Sequence, residues 1–247
     1  MFKLFSKSKP VPSKADLSGL KVDMHSHLLP GIDDGSPDIT TSLHLIKGMM
    51  DLGYTKLITT PHIMWDMYRN THEVILEKLE ILREAVKAEG LDVEINAAAE
   101  YFLDENTERL LKENIKLLTI SGNMVLVEFS MAYPTHSLKD MLFEMQMQNY
   151  MPVIAHPERY LYLEKKKDFY DELKDLGCIF QLNLLSMGGY YGKSAMELGQ
   201  YLIKKEYYEL VGTDLHGERH LDALNDAAYM PALLKLLETG KIRNLDL

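Results

Sequence analysis

The segment DMHSHLLPGIDDG, residues 23–35, combines a short extended run with a polar loop. Residues two positions apart in a strand project from the same face, so His25 and His27 lie side by side and can bind one divalent ion. The proline and glycines that follow predict a turn, which can bring Asp33 or Asp34 back toward the two histidines. The segment therefore predicts a strand whose C-terminal end carries potential metal ligands.

The remainder of the chain repeats this order of strand, loop and helix. Runs rich in valine, isoleucine and leucine predict seven strands, near residues 22–27, 56–62, 92–100, 124–129, 152–157, 179–184 and 208–216. This alternation predicts an α/β fold with a parallel sheet covered by helices, either a closed barrel or a doubly wound open sheet. Because polar residues collect at the strand ends, where barrel enzymes carry their active sites, we expect the barrel.

Composition limits the classes of protein that this chain can represent. Its 247 residues, 46% of them hydrophobic, fit one large domain, although two small domains are also compatible. We expect residues 1–20, which are basic, to form a flexible leader and residues 21–247 to form the domain. The net charge of −10 disfavours general nucleic-acid binding. A single cysteine and the lack of an apolar run of roughly 20 residues favour a cytoplasmic protein without a transmembrane segment.

Six of the seven predicted strands end in side chains that can bind a metal. These candidates are His25, His27, Asp33 or Asp34, His62, Glu100, Glu128, His156, Asp214 and His216. Carboxylates gathered without counterions repel one another or become protonated, so we expect cations among them. Five imidazoles and four carboxylates suffice for two or three ions. Nitrogen and oxygen ligands without sulfur suit Mn²⁺, Fe, Zn²⁺ or Mg²⁺, and the residue types do not choose among these metals.

Six motifs along the chain resemble those of the PHP (polymerase and histidinol phosphatase) superfamily of metallohydrolases. They are most similar to its bacterial tyrosine-protein phosphatases associated with capsular and exopolysaccharide synthesis. The matching motifs are HSHLLPGIDDG (25–35), TTPH (59–62), AAE (98–100), VEF (127–129), AHPERY (155–160) and TDLH (213–216). The resemblance implies a distorted (β/α)₇ TIM-like barrel with a trinuclear metal centre at the C-terminal ends of the strands.

The same resemblance implies roles for individual residues. The implied metal ligands are His25, His27, Asp34, His62, Glu100, Glu128, His156, Asp214 and His216. Arg159, within HPER, is implied as the substrate-phosphate contact and transition-state stabiliser. Arg219 lies in a loop where the family often has a second arginine that acts on the substrate, although this alignment is looser. The choice of Asp34 over Asp33 rests on the family pattern, because both can reach the site.

The activity implied by the resemblance is hydrolysis of protein phosphotyrosine by a metal-activated hydroxide. The expected cofactors are two or three divalent ions, with Mn²⁺ ahead of Fe, Zn²⁺ and Mg²⁺. His216 is a candidate proton donor, and Tyr133 a candidate contact for an aromatic substrate. The implied partner is the tail of a bacterial tyrosine autokinase, through which the enzyme would regulate capsular or exopolysaccharide synthesis. The sequence leaves the oligomeric state open, and an oligomer is compatible with it.

Other functions compete with this interpretation. A phosphatase of small molecules such as histidinol phosphate would keep the site and change the substrate. A nuclease of the same superfamily is disfavoured by the acidic charge, and a metal-binding scaffold without catalysis leaves Arg159 unexplained. A cysteine-based tyrosine phosphatase needs an arginine six residues after its cysteine, but Leu184 occupies that position after Cys178. We therefore interpret Cys178 as a buried small hydrophobic residue.

Overall fold

A computed structural model describes residues 15–133 and 137–247 of the chain. The strands in these ranges are β1 Val22–Asp23, β2 Lys56–Thr59, β3 His62–Ile63, β4 Glu94–Ala97, β5 Glu100–Phe102, β6 Met124–Glu128, β7 Met151–Ala155, β8 Ile179–Asn183 and β9 Tyr208–Gly212. The α-helices are α1 Ile39–Asp51, α2 His72–Ala88, α3 Glu105–Lys112, α4 Leu138–Met147, α5 Asp168–Asp175, α6 Leu184–Met187, α7 Lys193–Lys204, α8 Glu218–Asn225 and α9 Met230–Leu237. Among these helices, none has both the length and the apolar character needed to cross a membrane.

The described strands pair in parallel, as the sequence predicts. One sheet has the order β1-β2-β4, and the other has the order β3-β5-β6-β7-β8-β9. The second and third predicted strands are each divided, because Thr60 and Pro61 separate β2 from β3 and two alanines separate β4 from β5. Pro61 has no amide hydrogen, so it cannot donate to the ladder. The fold is therefore α/β with short parallel strands, as predicted in class but with more strand segments than predicted.

Contacts between the first and last strands join the outer edges of the two sheets. Ser26, after β1, forms a parallel bridge with Leu215, after β9. Nearby, the buried carboxylate of Asp23, at the end of β1, accepts hydrogen bonds from the amide and the hydroxyl of Thr213, just after β9, at 2.9 and 3.0 Å. The chain segments that begin and end the sheet order are therefore adjacent in space.

A buried amide near the C-terminus extends this junction. Asn244, which begins a short 3₁₀ helix, donates from Nδ2 to the carbonyl of Val22 at 3.0 Å and to that of Val211 at 2.7 Å. Its Oδ1 atom accepts from the Val211 amide at 3.0 Å. One side chain thus connects the backbones of β1 and β9, and no polar atom of its amide is left without a partner.

Two apolar clusters stabilise the fold. The larger cluster lies between helices and strands and includes the buried faces of α1 and α2, for example Leu45 and Leu82. The smaller cluster, which we call the strand cluster, consists of Val22, Met24, Ile58, Ala98, Ile120, Leu126, Val153, Ala155, Ile179 and Leu210. Because most of its members lie in or beside the parallel strands, this cluster packs the strands against one another.

The domain begins before residue 21. Residues 1–14 of the predicted leader lie outside the described residues, but Ala15, Leu17 and Leu20 are buried in the larger cluster. The amide of Leu17 also donates to the carbonyl of Leu52, just after α1, at 2.7 Å. The prediction of a leader through residue 20 is therefore wrong for residues 15–20, because their apolar side chains pack on the core.

Candidate metal centre

The predicted ligands meet where the parallel strands end or resume. Their positions are His25 and His27 after β1, His62 and Glu100 at the starts of β3 and β5, Glu128 at the end of β6, His156 after β7, and Asp214 and His216 after β9. Strand pairing sets His62 opposite Glu100. His25, His27 and Glu100 are fully buried. Residues from six separate stretches of sequence thus share one small volume.

Three overlapping groups of side chains have potential ligand atoms within 4.8 Å of one another. The groups are His27, Asp34, His62 and His216; His25, His27, Glu100 and Asp214; and His62, Glu100 and Glu128. His156 adjoins the third group, since its Nε2 atom lies 3.2 Å from Glu100 Oε1 and 3.7 Å from Glu128 Oε1. Because the groups share His27, His62 and Glu100, they form one continuous centre.

Two neighbouring carboxyl groups in this centre have oppositely shifted pKa values. Burial acts to raise the pKa of Glu100, but the imidazoles of His25 and His62 hold it well below its ordinary value. Burial raises the pKa of Glu128 well above its ordinary value, and the charge of Glu100 raises it further. Keeping both carboxylates ionised in a buried site requires added positive charge, which divalent cations supply.

Several buried polar atoms here lack a hydrogen-bond partner among the described residues. They are both carboxylate oxygens of Glu100 and the Nδ1 atoms of His62 and His156. A buried carboxylate without hydrogen bonds is destabilising, whereas carboxylate oxygens and imidazole nitrogens are good ligands for divalent metals. The unpartnered atoms and the sulfur-free ligand set therefore fit a metal centre.

The two acidic residues of the first loop occupy different surroundings. Asp33 Oδ2 lies 2.8 Å from His27 Nδ1 and accepts a hydrogen bond from the His62 amide at 3.1 Å. Asp34 Oδ1 lies 3.5 Å from His62 Nε2 and 3.6 Å from His216 Nε2. The geometry therefore favours Asp34 as a ligand, and Asp33 as the partner that orients His27 with its Nε2 atom toward the centre.

Arg159 lies beside the centre and contacts one of its carboxylates. Its Nη1 atom donates to Asp214 Oδ2 at 2.7 Å, while Asp214 Oδ1 lies 3.3 Å from His25 Nε2. The guanidinium carbon lies 4.2 Å from the ring centroid of Tyr191, a cation–π contact. Asp214 thus separates the imidazoles from a guanidinium whose remaining N–H groups can bind an anion.

A cavity of about 540 Å³ opens onto the centre. Its polar lining comprises Asp34, His62, Glu128, Ser130, His156, Arg159, Asp214, His216 and His220. The remaining lining residues, which we call the apolar wall, are apolar or aromatic, namely Met64, Met67, Tyr68, Phe102, Phe129, Met131, Ala132 and Tyr191. A cationic and metal-binding end next to an apolar wall suits an anionic group carried on an aromatic ring.

Two predicted substrate contacts lie outside this cavity lining. Tyr133 is 69% exposed and lines a neighbouring groove rather than the cavity itself. Arg219 is exposed in the first turn of α8, and its neighbour His220 is the residue of that turn that faces the cavity. Adjacent residues of a helix point about 100° apart, so Arg219 and His220 face different directions. Of these two residues, His220 lines the cavity with Arg159 and Arg219 does not.

Other residues at the centre had only weak signals in the sequence. Gln181 and Asn183 are fully buried amides on β8, within hydrogen-bond distance of His25 and Asp214 respectively. Tyr191 and His220 also line the cavity, and neither lies at the end of a predicted strand. Their roles depend on contacts between distant parts of the chain, which no local spacing indicates.

Cys178 is remote from this chemistry. Its side chain is buried immediately before β8, and burial raises the pKa of its thiol to about 12. A thiol with so high a pKa is almost entirely protonated at neutral pH and is a poor nucleophile. The position and protonation of Cys178 therefore argue against a cysteine-based mechanism.

Comparisons with known proteins identify relatives of the whole domain. The family model described as capsular polysaccharide synthesis, CpsB/CapC, matches residues 21–230. The chain is 30% identical over 201 residues to the tyrosine-protein phosphatase CpsB of Streptococcus pneumoniae, which covers 79% of this chain and 82% of that protein. It is 27% identical over 233 residues to the putative tyrosine-protein phosphatase CapC of Staphylococcus aureus, covering 90% of each.

A solved structure shares the fold. It comes from work on YwqE of Bacillus subtilis and CpsB of Streptococcus pneumoniae, described as unique metal-dependent tyrosine phosphatases. The two chains superpose with a TM-score of 0.78 at 24% identity, over 90% of this chain and 89% of the other.

Proposed function

The chain belongs to the CpsB/CapC family of capsular polysaccharide synthesis proteins, and from this membership we propose that it is a metal-dependent protein-tyrosine phosphatase. One observation carries the proposal: six of the nine potential metal ligands, together with Arg159, line a single cavity that also has an apolar wall. The names of the relatives, tyrosine-protein phosphatases, support the same substrate class.

The residues of the cavity have complementary roles in this proposal. Divalent ions held by the histidines and carboxylates would supply Lewis acidity, lowering the pKa of a water molecule to about 7 and offsetting phosphate charge. Arg159 donates hydrogen bonds to the phosphoryl oxygens and stabilises the charge that develops on them. The phenolate of tyrosine, with a pKa of about 10, leaves with little help from an acid. His216 lines the cavity and is the candidate proton donor for a poorer leaving group, a role that requires its imidazole to be released from the metal.

The apolar wall provides the selectivity for an aromatic substrate. Met64, Phe102 and Met131 line the same cavity as the polar residues, and Tyr68 stacks on His62 with ring centroids 5.5 Å apart. A phenyl ring buried against these side chains gains the hydrophobic and aromatic contacts that a small aliphatic phosphate lacks. The wall therefore favours phosphotyrosine over a compact alkyl phosphate.

The proposal includes the arrangement of the strands. We propose a distorted (β/α)₇ barrel, in which β2 with β3, and β4 with β5, each count as one interrupted strand. The bridge between Ser26 and Leu215 and the pairing of Thr213 with Asp23 support closure between the first and last strands. A barrel of this kind gathers the strand ends at one mouth, where loops can carry the ligands.

The proposal extends to partner and compartment. The description of the family connects it with capsular polysaccharide synthesis, so we propose that the substrate is the tyrosine-rich tail of a bacterial tyrosine autokinase. We also propose a cytoplasmic location, because a single free and buried cysteine suits a reducing compartment.

A substrate panel with the purified protein tests the proposal. The assay measures the hydrolysis of five substrates before and after treatment with EDTA, and after addition of Mn²⁺. The substrates are phosphotyrosine peptide, phosphoserine peptide, p-nitrophenyl phosphate, histidinol phosphate and single-stranded DNA. We expect hydrolysis of the phosphotyrosine peptide and the aryl phosphate, loss of activity with EDTA, and recovery with Mn²⁺.

Each alternative has its own outcome. Faster turnover of histidinol phosphate than of phosphotyrosine would assign the site to small molecules. Activity that survives complete metal removal, verified by elemental analysis, would overturn the metal mechanism whichever substrate is preferred.

A further inference from the structure

Strand β8 supplies two buried amides to the metal centre, although it ends without a strong ligand. Gln181 and Asn183 lie two positions apart near its C-terminal end and are fully buried. Each contacts a different member of the group formed by His25, His27, Glu100 and Asp214. Burying an amide in a core costs free energy unless the amide is hydrogen-bonded, and both of these amides contact potential metal ligands.

The orientation of the Gln181 amide is fixed by its surroundings. Its Nε2 atom donates to the Leu182 carbonyl at 2.6 Å, and its Oε1 atom accepts from the His156 amide at 3.3 Å. The same Oε1 atom lies 2.9 Å from His25 Nδ1. Because Oε1 can only accept, the hydrogen must be on His25 Nδ1.

This hydrogen bond determines which nitrogen of His25 is available to a metal. With its hydrogen on Nδ1, the neutral imidazole presents the lone pair of Nε2, which lies 3.2 Å from Glu100 Oε2 and 3.3 Å from Asp214 Oδ1. Three potential ligand atoms therefore converge on one point. An acceptor on the far ring nitrogen also makes a ligating imidazole more basic and fixes its plane.

Asn183 acts on the carboxylate of Asp214 in a comparable way. Its Oδ1 atom accepts from the Leu185 amide at 2.9 Å, which directs Nδ2 toward Asp214 Oδ2, also at 2.9 Å. Arg159 donates to the same oxygen. With Oδ2 held by two donors, the other oxygen, Oδ1, faces the imidazoles of His25 and His27, at 3.3 and 3.5 Å.

We propose that Gln181 and Asn183 are positioning residues that set the tautomer of His25 and the rotation of the Asp214 carboxylate for metal binding. The inference rests on the proposed metal centre and adds to it that the strand without a ligand orients ligands of two others. Loss of such an outer partner typically weakens metal affinity about 10- to 100-fold.

Metal titration of paired variants tests the inference. Calorimetry measures the binding of Mn²⁺ to four metal-free proteins, namely wild type, Gln181→Met, Gln181→Glu and Asn183→Ala. Their melting temperatures are also measured without metal. Gln181→Met keeps the length of the side chain and removes the acceptor, whereas Gln181→Glu keeps an acceptor for His25 Nδ1. We expect Mn²⁺ affinity to fall about 10- to 100-fold in Gln181→Met and Asn183→Ala, and to be largely retained in Gln181→Glu.

Asn244→Ala is the matched structural control. Asn244 is also a buried amide with three hydrogen bonds to the ends of β1 and β9, but it lies outside the metal centre. We expect Asn244→Ala to lower the melting temperature and leave the Mn²⁺ affinity of the folded protein unchanged.

The possible results distinguish absence of the metal centre from absence of the positioning role of Gln181 and Asn183. Wild type that binds no Mn²⁺ or other divalent metal would contradict the proposed metal centre itself. Normal metal affinity in wild type, Gln181→Met and Asn183→Ala, with melting temperatures lowered as in Asn244→Ala, would show that the β8 amides only pack. If Gln181→Met does not fold, Asn183→Ala decides between these results.

Discussion

The strand cluster and the metal centre occupy successive positions on the same strand faces, yet they make opposite demands on the fold. Leu126 belongs to the strand cluster, and Glu128, two residues later on β6, belongs to the metal centre. Ala98 and Glu100 show the same relation beside β5. Two residues of strand span about 7 Å, so the potential metal ligands form the layer of side chains next to the strand cluster.

This difference separates stability from activity along each strand. Burial of apolar side chains stabilises the folded chain, whereas burial of carboxylates and imidazoles opposes folding unless they gain partners. Substitutions in the two layers should therefore affect different measurements. Substitutions at four positions, three in or beside the metal centre and one in the strand cluster, test whether the two layers are independent.

The largest expected effect on activity comes from Glu100, the carboxylate common to two ligand groups. Glu100→Gln removes its charge and a ligand oxygen, so we expect kcat/KM to fall on the order of 10³-fold, with reduced metal content, because metal coordination contributes several kcal/mol to catalysis. Phosphotyrosine hydrolysis and elemental analysis measure both. The control is Glu77→Gln, the same change at an exposed position of α2. Full activity of Glu100→Gln would show that Glu100 is not a ligand of a catalytic metal ion.

Arg159 tests whether charge stabilisation can be lost without loss of the metals. In Arg159→Ala we expect kcat to fall about 10²- to 10³-fold, the usual effect of removing one donor to a transition state, with metal content retained. Arg219→Ala is the informative comparison, because Arg219 is exposed outside the cavity lining and should change kcat little. Metal loss in Arg159→Ala would instead assign Arg159 a structural role through Asp214.

A smaller effect is expected at Tyr191, whose ring supports the Arg159 guanidinium. Tyr191→Leu removes a cation–π contact of roughly 0.5–2 kcal/mol, so we expect kcat to decrease about 2- to 30-fold while metal content stays the same. Tyr191→Phe keeps the ring and should retain most of the activity. Equal losses in both variants would indicate that the hydroxyl, not the ring, matters.

The smallest effect on activity is expected in the strand cluster. Leu126→Ala should lower the free energy of unfolding by about 2–5 kcal/mol, while kcat per folded molecule stays near wild type. Urea denaturation gives the stability, and assays in the absence of urea give kcat. Leu234→Ala, at a partly exposed position of α9, should cost far less. A large loss of kcat in Leu126→Ala would show that the two layers are coupled.

Much of the centre was predictable because strand ends are local features. His25 and His27 have the two-residue spacing of one strand face, and Glu128 directly ends an apolar run. Once the strands are parallel, such ends must lie at the same edge of a sheet, so the sequence indicates which side chains can meet. The family resemblance then selected Asp34, which the structure places beside His62 and His216.

The residues that escaped prediction act through contacts between distant segments. Gln181 follows His25 by 156 positions, and its role is recognisable only because the two side chains are in contact in the folded chain. Asp33 is the same residue type as its neighbour Asp34, and only the folded chain shows that Asp33 contacts His27 Nδ1 and the His62 amide, whereas Asp34 lies near His62 Nε2 and His216 Nε2. The packing of Ala15, Leu17 and Leu20 on the core was not predicted, because three apolar residues in a short polar stretch carry little periodicity.

The junction between the first and last strands has a consequence for synthesis on the ribosome. Asp23 and Thr213, which are 190 positions apart, must meet before β1 and β9 are held together, and Asn244 follows later still. Early imidazoles such as His25 therefore leave the ribosome long before Asp214 is made. A nascent chain should be unable to assemble the complete centre, so catalysis begins only when translation of the domain is nearly finished.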